Sequence, residues 1–161
     1  MSEDAVPFGN EEPGGYVIRS MALEDYDRVY SLWLSCSGMG LNSVDDSREG
    51  IARYLARNPH TCFAAEENGR IIGVIMAGHD GRRGFIYHAA VAPDARGRGI
   101  GRQLAAHALE ALKKEGISKA ALVAFTRNEA GNAFWEKLGF EERNDLTYRS
   151  CALVDMERQD T

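Results

Sequence analysis

The sequence predicts a single α/β domain in which one mixed β-sheet carries helices on both faces. Three observations predict this fold class. The chain of 161 residues is long enough for one domain with a core, and 44% of its residues are apolar. Segments with strand-like and helical apolar spacing follow one another in the order β-α-α-β-β-β-α-β-α-β-β, without a repeat or a linker.

Four segments have the apolar spacing of helices that bury one face. In the longest, Ile100, Leu104 and Leu112 lie on one side. Ser47 and Asn128 precede two of the others, and their side chains can accept hydrogen bonds from the first N–H groups of a helix. The predicted helices are residues 23–34, 48–58, 99–115 and 129–138.

Alternating or short continuous apolar runs predict the strands. Asn68-Gly69 lies between two of these runs and is a strong signal for a tight hairpin turn. The predicted strands are residues 16–19, 62–66, 71–77, 85–91 and 120–125, followed by a last hairpin of residues 140–145 and 147–153.

The net charge of −5 is concentrated at the start of the chain. Residues 1–15 hold four acidic residues, no basic residue and several turn formers, which predicts a disordered acidic N-terminal tail. The domain then covers residues 16–154, and residues 155–161 form a C-terminal tail. Because the rest of the chain is almost neutral, we expect no nucleic-acid partner.

The sequence also argues against a membrane, a metal site and a disulfide framework. No apolar run has the length of a membrane span, and the first residues lack the pattern of a signal peptide. Cys36, Cys62 and Cys151 are odd in number and widely spaced, and the four histidines have no ligand spacing. We therefore expect a cytoplasmic protein that holds no metal.

The stretch "VAPDARGRGIGRQLA", residues 91–105, joins a predicted strand to a predicted helix. Its glycines at 97, 99 and 101 leave the helix N-terminus open, and a helix N-terminus attracts anions through its free N–H groups. Arginines at 96, 98 and 102, with Arg127 nearby, can hold the outer oxygens of such an anion. The stretch therefore predicts a diphosphate site, although neither a P-loop nor a G-x-G-x-x-G motif is present.

The same residues carry a resemblance to a known family. Arg96-Gly97-Arg98-Gly99-Ile100-Gly101 matches the Arg/Gln-x-x-Gly-x-Gly/Ala signature of the GNAT superfamily of acyl-CoA-dependent N-acetyltransferases. The segment "NEAGNAFWEKLGFEER", residues 128–143, resembles the second cofactor motif of that family. The order of elements over residues 16–153 is also similar, so the resemblance covers all but the two termini.

The resemblance implies a mainly antiparallel central sheet with a V-shaped splay between two central strands, where acetyl-CoA binds. The glycine turn would hold the pyrophosphate, the end of the preceding strand would pair with the pantetheine arm, and a backbone N–H near Ala90 would stabilise the oxyanion. The residues expected to contact acetyl-CoA are Ala89, Ala90, Val91, Arg96, Gly97, Arg98, Gly99, Ile100, Gly101, Arg102, Asn128, Asn132 and Trp135.

The sequence departs from the family at its catalytic positions. Trp135 stands where the family usually carries a tyrosine proposed to protonate the leaving thiolate, and an indole N–H is no acid near neutral pH. Val123 stands where some relatives carry a glutamate base. Tyr87, which shares a predicted strand face with Phe85, becomes the expected polar group near the acetyl carbon, whereas His88 is expected to point to the opposite face.

The loop of residues 37–47 is expected to border the acceptor pocket, because the family places its pocket against this loop. Asp45 and Asp46 would attract a protonated amine there, and Trp33 would contribute to the same pocket. A solvated turn before a helix is the alternative interpretation of the two aspartates.

The sequence thus predicts transfer of an acetyl group from acetyl-CoA to a primary amine of a small molecule or of a protein N-terminus. Two alternatives stay open: a CoA-binding module with weak or no transferase activity, and a nucleotide-binding regulator. A homodimer is possible, since members of the family often pair through sheet edges or terminal strands.

Overall fold

The structure, a computed structural model, describes residues 14–161, so nearly all of the expected acidic tail lies outside the described residues. Short 3₁₀ turns at Leu23–Asp25 and Pro93–Ala95 accompany the regular elements. The strands are β1 Val17–Ser20, β2 Gly40–Asn42, β3 Phe63–Glu67, β4 Arg70–His79, β5 Gly84–Val91, β6 Ala120–Leu122 and β7 Arg158–Asp160. The helices are α1 Tyr26–Ser35, α2 Arg48–Arg57, α3 Ile100–Lys114 and α4 Glu129–Lys137.

The main sheet has five strands in the order β1-β3-β4-β5-β6. The first three pairings are antiparallel, and only β5 and β6 run parallel, joined by the crossover helix α3. Between β3 and β4, Asn68 and Gly69 both have positive φ, which confirms the predicted tight turn. The mixed, mainly antiparallel sheet that was expected is therefore present.

Helices cover both faces of this sheet. On one face, Ile100 and Leu104 of α3 lie so close to Gly73 of β4 that a Cβ there would be 2.9 Å from each of them. On the other face, a Cβ at Gly78 would meet Tyr54 of α2 at 2.6 Å. The two glycines let both helices pack directly on the backbone of the central strand.

The predicted N-caps of α2 and α4 are confirmed. The Ser47 hydroxyl accepts a hydrogen bond from the Gly50 N–H at 3.0 Å, and the Asn128 side-chain oxygen accepts one from the Gly131 N–H at 3.0 Å. Each bond satisfies an N–H group that has no partner inside its helix. None of the helices described combines the length and the apolar character needed to cross a bilayer.

The predicted C-terminal hairpin is wrong. Residues 140–153 contain no strand, and Leu146, Tyr148 and Leu153 are exposed by 63%, 71% and 92%. Instead, β7 pairs antiparallel with β2. β2 lies within the loop of residues 37–47, where no strand was predicted. Residues 141–157 link α4 to β7 without forming a strand, so their alternating apolar residues find no strand partner.

Candidate functional site

The two parallel strands separate at the middle of β5. The last paired residues are Ile86 and Leu122, yet β5 continues for five residues to Val91. β6 ends at Leu122, and the next regular element is α4. The edge of β5 that faces β6 is therefore left without a strand partner over its second half, as expected for a splay.

The register fixes which amides of β5 face this gap. Ala92 donates its N–H to the Ile72 carbonyl of β4 at 2.8 Å. Because bonded pairs alternate in an antiparallel ladder, Ala90 opposite Val74 also bonds to β4, whereas Ala89 and Val91 point their amides toward the gap. Of the amides near Ala90, only those of the neighbouring residues Ala89 and Val91 thus face the gap, and the oxyanion role expected there stays a prediction.

The glycine turn leaves the first amides of α3 free. Gly97 and Gly99 both have φ of +79°, and no atom lies within 4 Å of a Cβ built on either. Gly99 is the N-cap of α3 and offers no capping side chain. Among residues 14–161, the N–H groups of the next three residues, 100–102, find no acceptor. Free N–H groups at the positive end of a 15-residue helix attract anions, so this turn is suited to bind one.

Gly101 serves packing rather than turn conformation. A Cβ at this position would lie 3.3 Å from the Phe134 ring of α4 and 3.5 Å from Val91. The small residue therefore lets α4 approach the start of α3, on the side toward the end of β5.

The arginines around the turn are not equally available. Arg96 and Arg102 are exposed, although Arg96 also donates to the Val91 carbonyl at 3.3 Å. Arg98 is paired with Glu67 at 2.7 Å. Arg127 lies over the Phe125 ring, 4.5 Å from its centroid. All four are exposed, but Arg98 and Arg127 already make these contacts, so an anion at the turn would meet Arg96 and Arg102 first.

The N-terminus of α4 borders the other side of the gap. The Asn132 amide donates to the carbonyls of Phe125 and Asn128, at 3.0 and 2.9 Å, which fixes the turn before the helix. The Asn128 amide nitrogen faces Gly38, where a Cβ would be only 2.7 Å away. The loop after α1 therefore closes over the head of α4.

Trp135 is a half-buried packing residue in this structure. Its ring lies 4.9 Å from the ring of Phe134 and 5.1 Å from that of Phe140, with edge-to-face geometry in both cases. Val123, which stands where some members of the family carry a glutamate base, is exposed by 53%.

A β-bulge interrupts β5 where the two strands separate. His88 faces Met76 and Ile86 faces Ala77, so Tyr87 is an extra residue between them. Tyr87 is 58% exposed, and its ring meets those of Phe85 at 4.7 Å and Tyr54 of α2 at 5.7 Å. Tyr87 thus lies beside the gap, and its expected role near the acetyl carbon stays a prediction.

The surroundings of Tyr87 keep its hydroxyl protonated. Burial raises the pKa of Tyr87, and the neighbouring Tyr148, Asp45 and Asp80 raise it further. Burial also raises the pKa of Tyr54, whose hydroxyl bonds to no described residue. Both phenols are therefore donors at neutral pH, not bases.

The expected orientation of His88 is wrong. Because the bulge shifts the alternation by one residue, His88 is directed toward α1 and α2, as Tyr87 is. Its Nε2 lies 2.6 Å from Asp46 Oδ1, and its ring lies 4.8 Å from that of Trp33 on α1. Neither the bulge nor the contact across 42 residues has a signal in the sequence.

The loop before α2 presents only one of its two carboxylates to solvent. Asp45 is exposed and accepts a hydrogen bond from the Asn42 side chain at 3.0 Å. Asp46 is only 4% exposed, and its second oxygen accepts the Asn42 N–H at 2.8 Å. Trp33 is fully buried and packs against the His88 ring, so its side chain is not exposed to an acceptor.

The described residues offer no group of three or more His, Cys, Asp or Glu side chains placed to hold a metal ion. The site is thus built from backbone amides, aromatic rings and a few charged side chains.

Comparison with known proteins gives a consistent result. Residues 26–140 match the sequence profile of the acetyltransferase (GNAT) family. An acetyltransferase of Photorhabdus laumondii is 34% identical over 142 residues, which cover 87% of this chain and 98% of that protein. An acetyltransferase of Yersinia pseudotuberculosis is 33% identical over 140 residues, with the same coverage of 87% and 98%.

Solved structures with this fold include the PaiA N-acetyltransferase of Thermoplasma acidophilum in complex with coenzyme A, with a TM-score of 0.69 and 18% identity over 80% of this chain and 91% of that one. The ribosomal-protein-S18-alanine N-acetyltransferase of Escherichia coli has a TM-score of 0.64 and 23% identity, covering 80% and 79%. AAC(6')-Iy, bound to a CoA-acetylneamine bisubstrate analogue, has a TM-score of 0.66 and 23% identity, covering 85% and 99%.

Proposed function

The chain belongs to the GNAT family and is an acetyl-CoA-dependent acetyltransferase, and on that premise we propose that it acetylates a primary amine, of a small molecule or of a protein N-terminus, by direct attack in a ternary complex. The observation that carries the proposal is the pair of free backbone surfaces that meet at the end of β5. One is the start of α3, and the other is the unpaired edge of β5.

The residues present fit acetyl-CoA. The free N–H groups of residues 100–102 suit a pyrophosphate, with Arg96 and Arg102 at its outer oxygens. The outward-facing amides of Ala89 and Val91, with the Ala89 carbonyl, suit the amide-bearing pantetheine arm, which would add to the sheet edge like a strand. Asn128 and Asn132 at the head of α4 would flank that arm, with Trp135 behind it.

Acetyl-CoA supplies an activated acetyl thioester, and the chain supplies the surroundings in which an amine can attack it. An amide of Ala89 or Val91 would donate to the carbonyl oxygen as negative charge develops there. The Tyr87 hydroxyl, kept protonated by its surroundings, is a second donor on the side where the acceptor enters. These donors stabilise the transition state more than the ground state, as catalysis requires.

The acceptor surface is aromatic with an acidic margin. Tyr87 forms its exposed part, and the charges of Asp45 and Asp80 act on it, since both raise its pKa. An ammonium group is attracted both by carboxylates and by the faces of aromatic rings. We therefore propose a cationic acceptor without a carboxylate beside its reacting nitrogen. Of the solved structures named above, one is a ribosomal-protein-S18-alanine N-acetyltransferase and another holds a CoA-acetylneamine bisubstrate analogue, so both classes of acceptor belong in the test.

The test is a CoA-release screen of the full chain with acetyl-CoA against cationic small amines, anionic amino acids and peptides with free N-termini. We expect release with cationic primary amines and calorimetric binding of acetyl-CoA in the absence of acceptor. Asp45→Asn should raise the acceptor KM by about threefold, an effect that salt should reduce. Glu110→Gln, an exposed change on α3, is the control for charge alone.

Acetyl-CoA binding without CoA release from any amine would contradict the proposal and favour the CoA-binding module. Stabilisation by ATP but not by acetyl-CoA would favour the nucleotide-binding regulator. A best substrate that is anionic beside its amine would contradict the proposed acceptor class. The cytoplasmic location and the homodimer remain predictions of the sequence. Size-exclusion chromatography with light scattering tests the homodimer.

A further inference from the structure

We propose that His88 is the general base of the transfer reaction and that Asp46 is the residue that positions it. The inference rests on the proposed function, since a base is needed only if an amine is acetylated. The two side chains form a buried pair, with only 11% of His88 and 5% of Asp46 exposed.

The Asp46 carboxylate is held from two directions. Its Oδ2 accepts the Asn42 N–H at 2.8 Å, so Oδ1 remains for His88 at 2.6 Å. The Tyr26 hydroxyl donates to the Asp46 main-chain carbonyl at 2.7 Å, which ties the turn to α1. A carboxylate in such a frame has no freedom to turn away from the imidazole.

This carboxylate selects one tautomer of His88. A carboxylate only accepts hydrogen bonds, so the Nε2 of His88 carries the proton in their contact. In the neutral ring, Nδ1 then has a lone pair. Nδ1 bonds to no residue between 14 and 161, while the edge-on contact with Trp33 fixes the plane of the ring. The pair thus presents one oriented proton acceptor.

The position of His88 in β5 places this lone pair near the gap between β5 and β6. His88 directly precedes Ala89, whose amide faces the gap between the strands. The bulge puts His88 beside Tyr87, on the side of the sheet where the exposed aromatic surface lies. The other polar groups of this surface, Tyr87 and Tyr54, have raised pKa values and cannot accept a proton near neutral pH.

The amine nitrogen forms a bond to the acetyl carbon, and the carbon–sulfur bond breaks, so that CoA leaves as a thiolate. The proton lost by the nitrogen passes to Nδ1 of His88. The imidazolium that results is stabilised by the Asp46 carboxylate at Nε2, and it returns the proton to solvent or to the thiolate.

His88→Gln is the direct test, with full-length protein, acetyl-CoA and the best amine from the screen. We expect kcat to fall by about a hundredfold or more, the usual size of a general-base effect. The acetyl-CoA Kd should stay within about twofold. His107→Gln is the matched control, because His107 also packs against an aromatic ring, Phe63, but lies on α3. This control should keep its kcat.

Asp46→Asn tests the positioning role. The amide oxygen of asparagine would keep the bond from the Asn42 N–H, so its NH₂ would face Nε2 and force the proton onto Nδ1. We expect kcat to fall by about a hundredfold with little change in KM. Nitrogen-15 NMR of the ligand-free protein should show the Nε2–H form in the wild type and the Nδ1–H form in this variant.

The outcomes separate this inference from the proposed function. If the wild type acetylates an amine and His88→Gln, folded by its melting temperature, retains its kcat, then His88 is not the base and only this inference fails. An Nδ1–H ring in the wild type would also overturn it, whatever the activity. A wild type that acetylates no amine would instead overturn the proposed function.

Discussion

Arg98 of the glycine turn is bonded within the protein. One of its terminal nitrogens lies 2.7 Å from Glu67 Oε2 at the end of β3, and the other donates to the Gly14 carbonyl at 2.8 Å. The guanidinium also lies over the Tyr16 ring, 5.6 Å from its centroid. The most central arginine of the signature therefore ties the turn to the sheet, and the backbone amides are left to bind an anion.

Removal of this side chain should weaken cosubstrate binding only modestly. Arg98→Ala removes one partly exposed charge but leaves the free amides of α3, so we expect the acetyl-CoA Kd to rise by about fivefold or less. Calorimetry measures it. Glu67→Gln, which removes the partner and keeps the arginine, should not weaken binding. A hundredfold loss in Arg98→Ala would show that the side chain dominates the site.

Gly99 is needed both for backbone conformation and for access to the amides. Gly99→Val should abolish measurable acetyl-CoA binding, because a branched side chain strains a backbone at φ +79° and stands beside the free N–H groups. Gly116→Val is the matched control, since Gly116 has φ +84° and equally open surroundings at the far end of α3. Both variants should lose similar stability on heating. Equal acetyl-CoA binding by the two would contradict the assignment of the turn.

Asn128 has a capping role that is visible and a cosubstrate role that is proposed. Serine caps a helix about as well as asparagine, so Asn128→Ser should keep the melting temperature within about 3 °C while the acetyl-CoA Kd rises. Asn128→Ala should lose both the helix cap and the contact with acetyl-CoA, with a stability loss of about 1 kcal/mol. An unchanged Kd in the serine variant would leave capping as the role of this residue.

Trp135 is expected to shape the cleft wall without transferring a proton. Trp135→Phe keeps an aromatic ring against Phe134 and Phe140, so most of the turnover should remain. Trp135→Tyr should not lower kcat either. Steady-state kinetics at saturating acetyl-CoA provides the comparison, and a hundredfold loss in the phenylalanine variant would assign chemistry to the indole N–H.

Acid stability should depend on Asp25, which is only 2% exposed. Burial acts to raise the pKa of this carboxyl, but hydrogen bonds from Arg19 and the Ala22 N–H outweigh it and hold the pKa below its usual value. A depressed folded-state pKa gives stabilisation that is complete above the unfolded pKa, about 4, and is lost as pH falls through the folded one.

Asp25→Asn should therefore cost about 3 kcal/mol near neutral pH and make the melting temperature less dependent on pH below about 4. Asp27→Asn is the control, because the Asp27 side chain is 90% exposed and lies 3.7 Å from Arg48. It should change stability by less than about 0.5 kcal/mol. Equal losses in the two variants would contradict the role of burial.

Much of the fold follows from local patterns. The caps at Ser47 and Asn128, the Asn68-Gly69 turn and the apolar stripe of α3 each depend on residues close in sequence, and each was predictable for that reason. The glycine turn was predictable because three alternating small residues before a helix have a local conformational effect.

The sequence by itself determined the family, the α/β architecture and the glycine turn before α3, because these depend on spacing along the chain. Only the tertiary structure decided which β5 amides face the gap, how His88 reaches Asp46 and where the C-terminal residues pair. A one-residue bulge reverses which face a side chain takes, and the partner of a strand edge is set by packing between distant segments. Neither effect leaves a pattern among neighbouring residues.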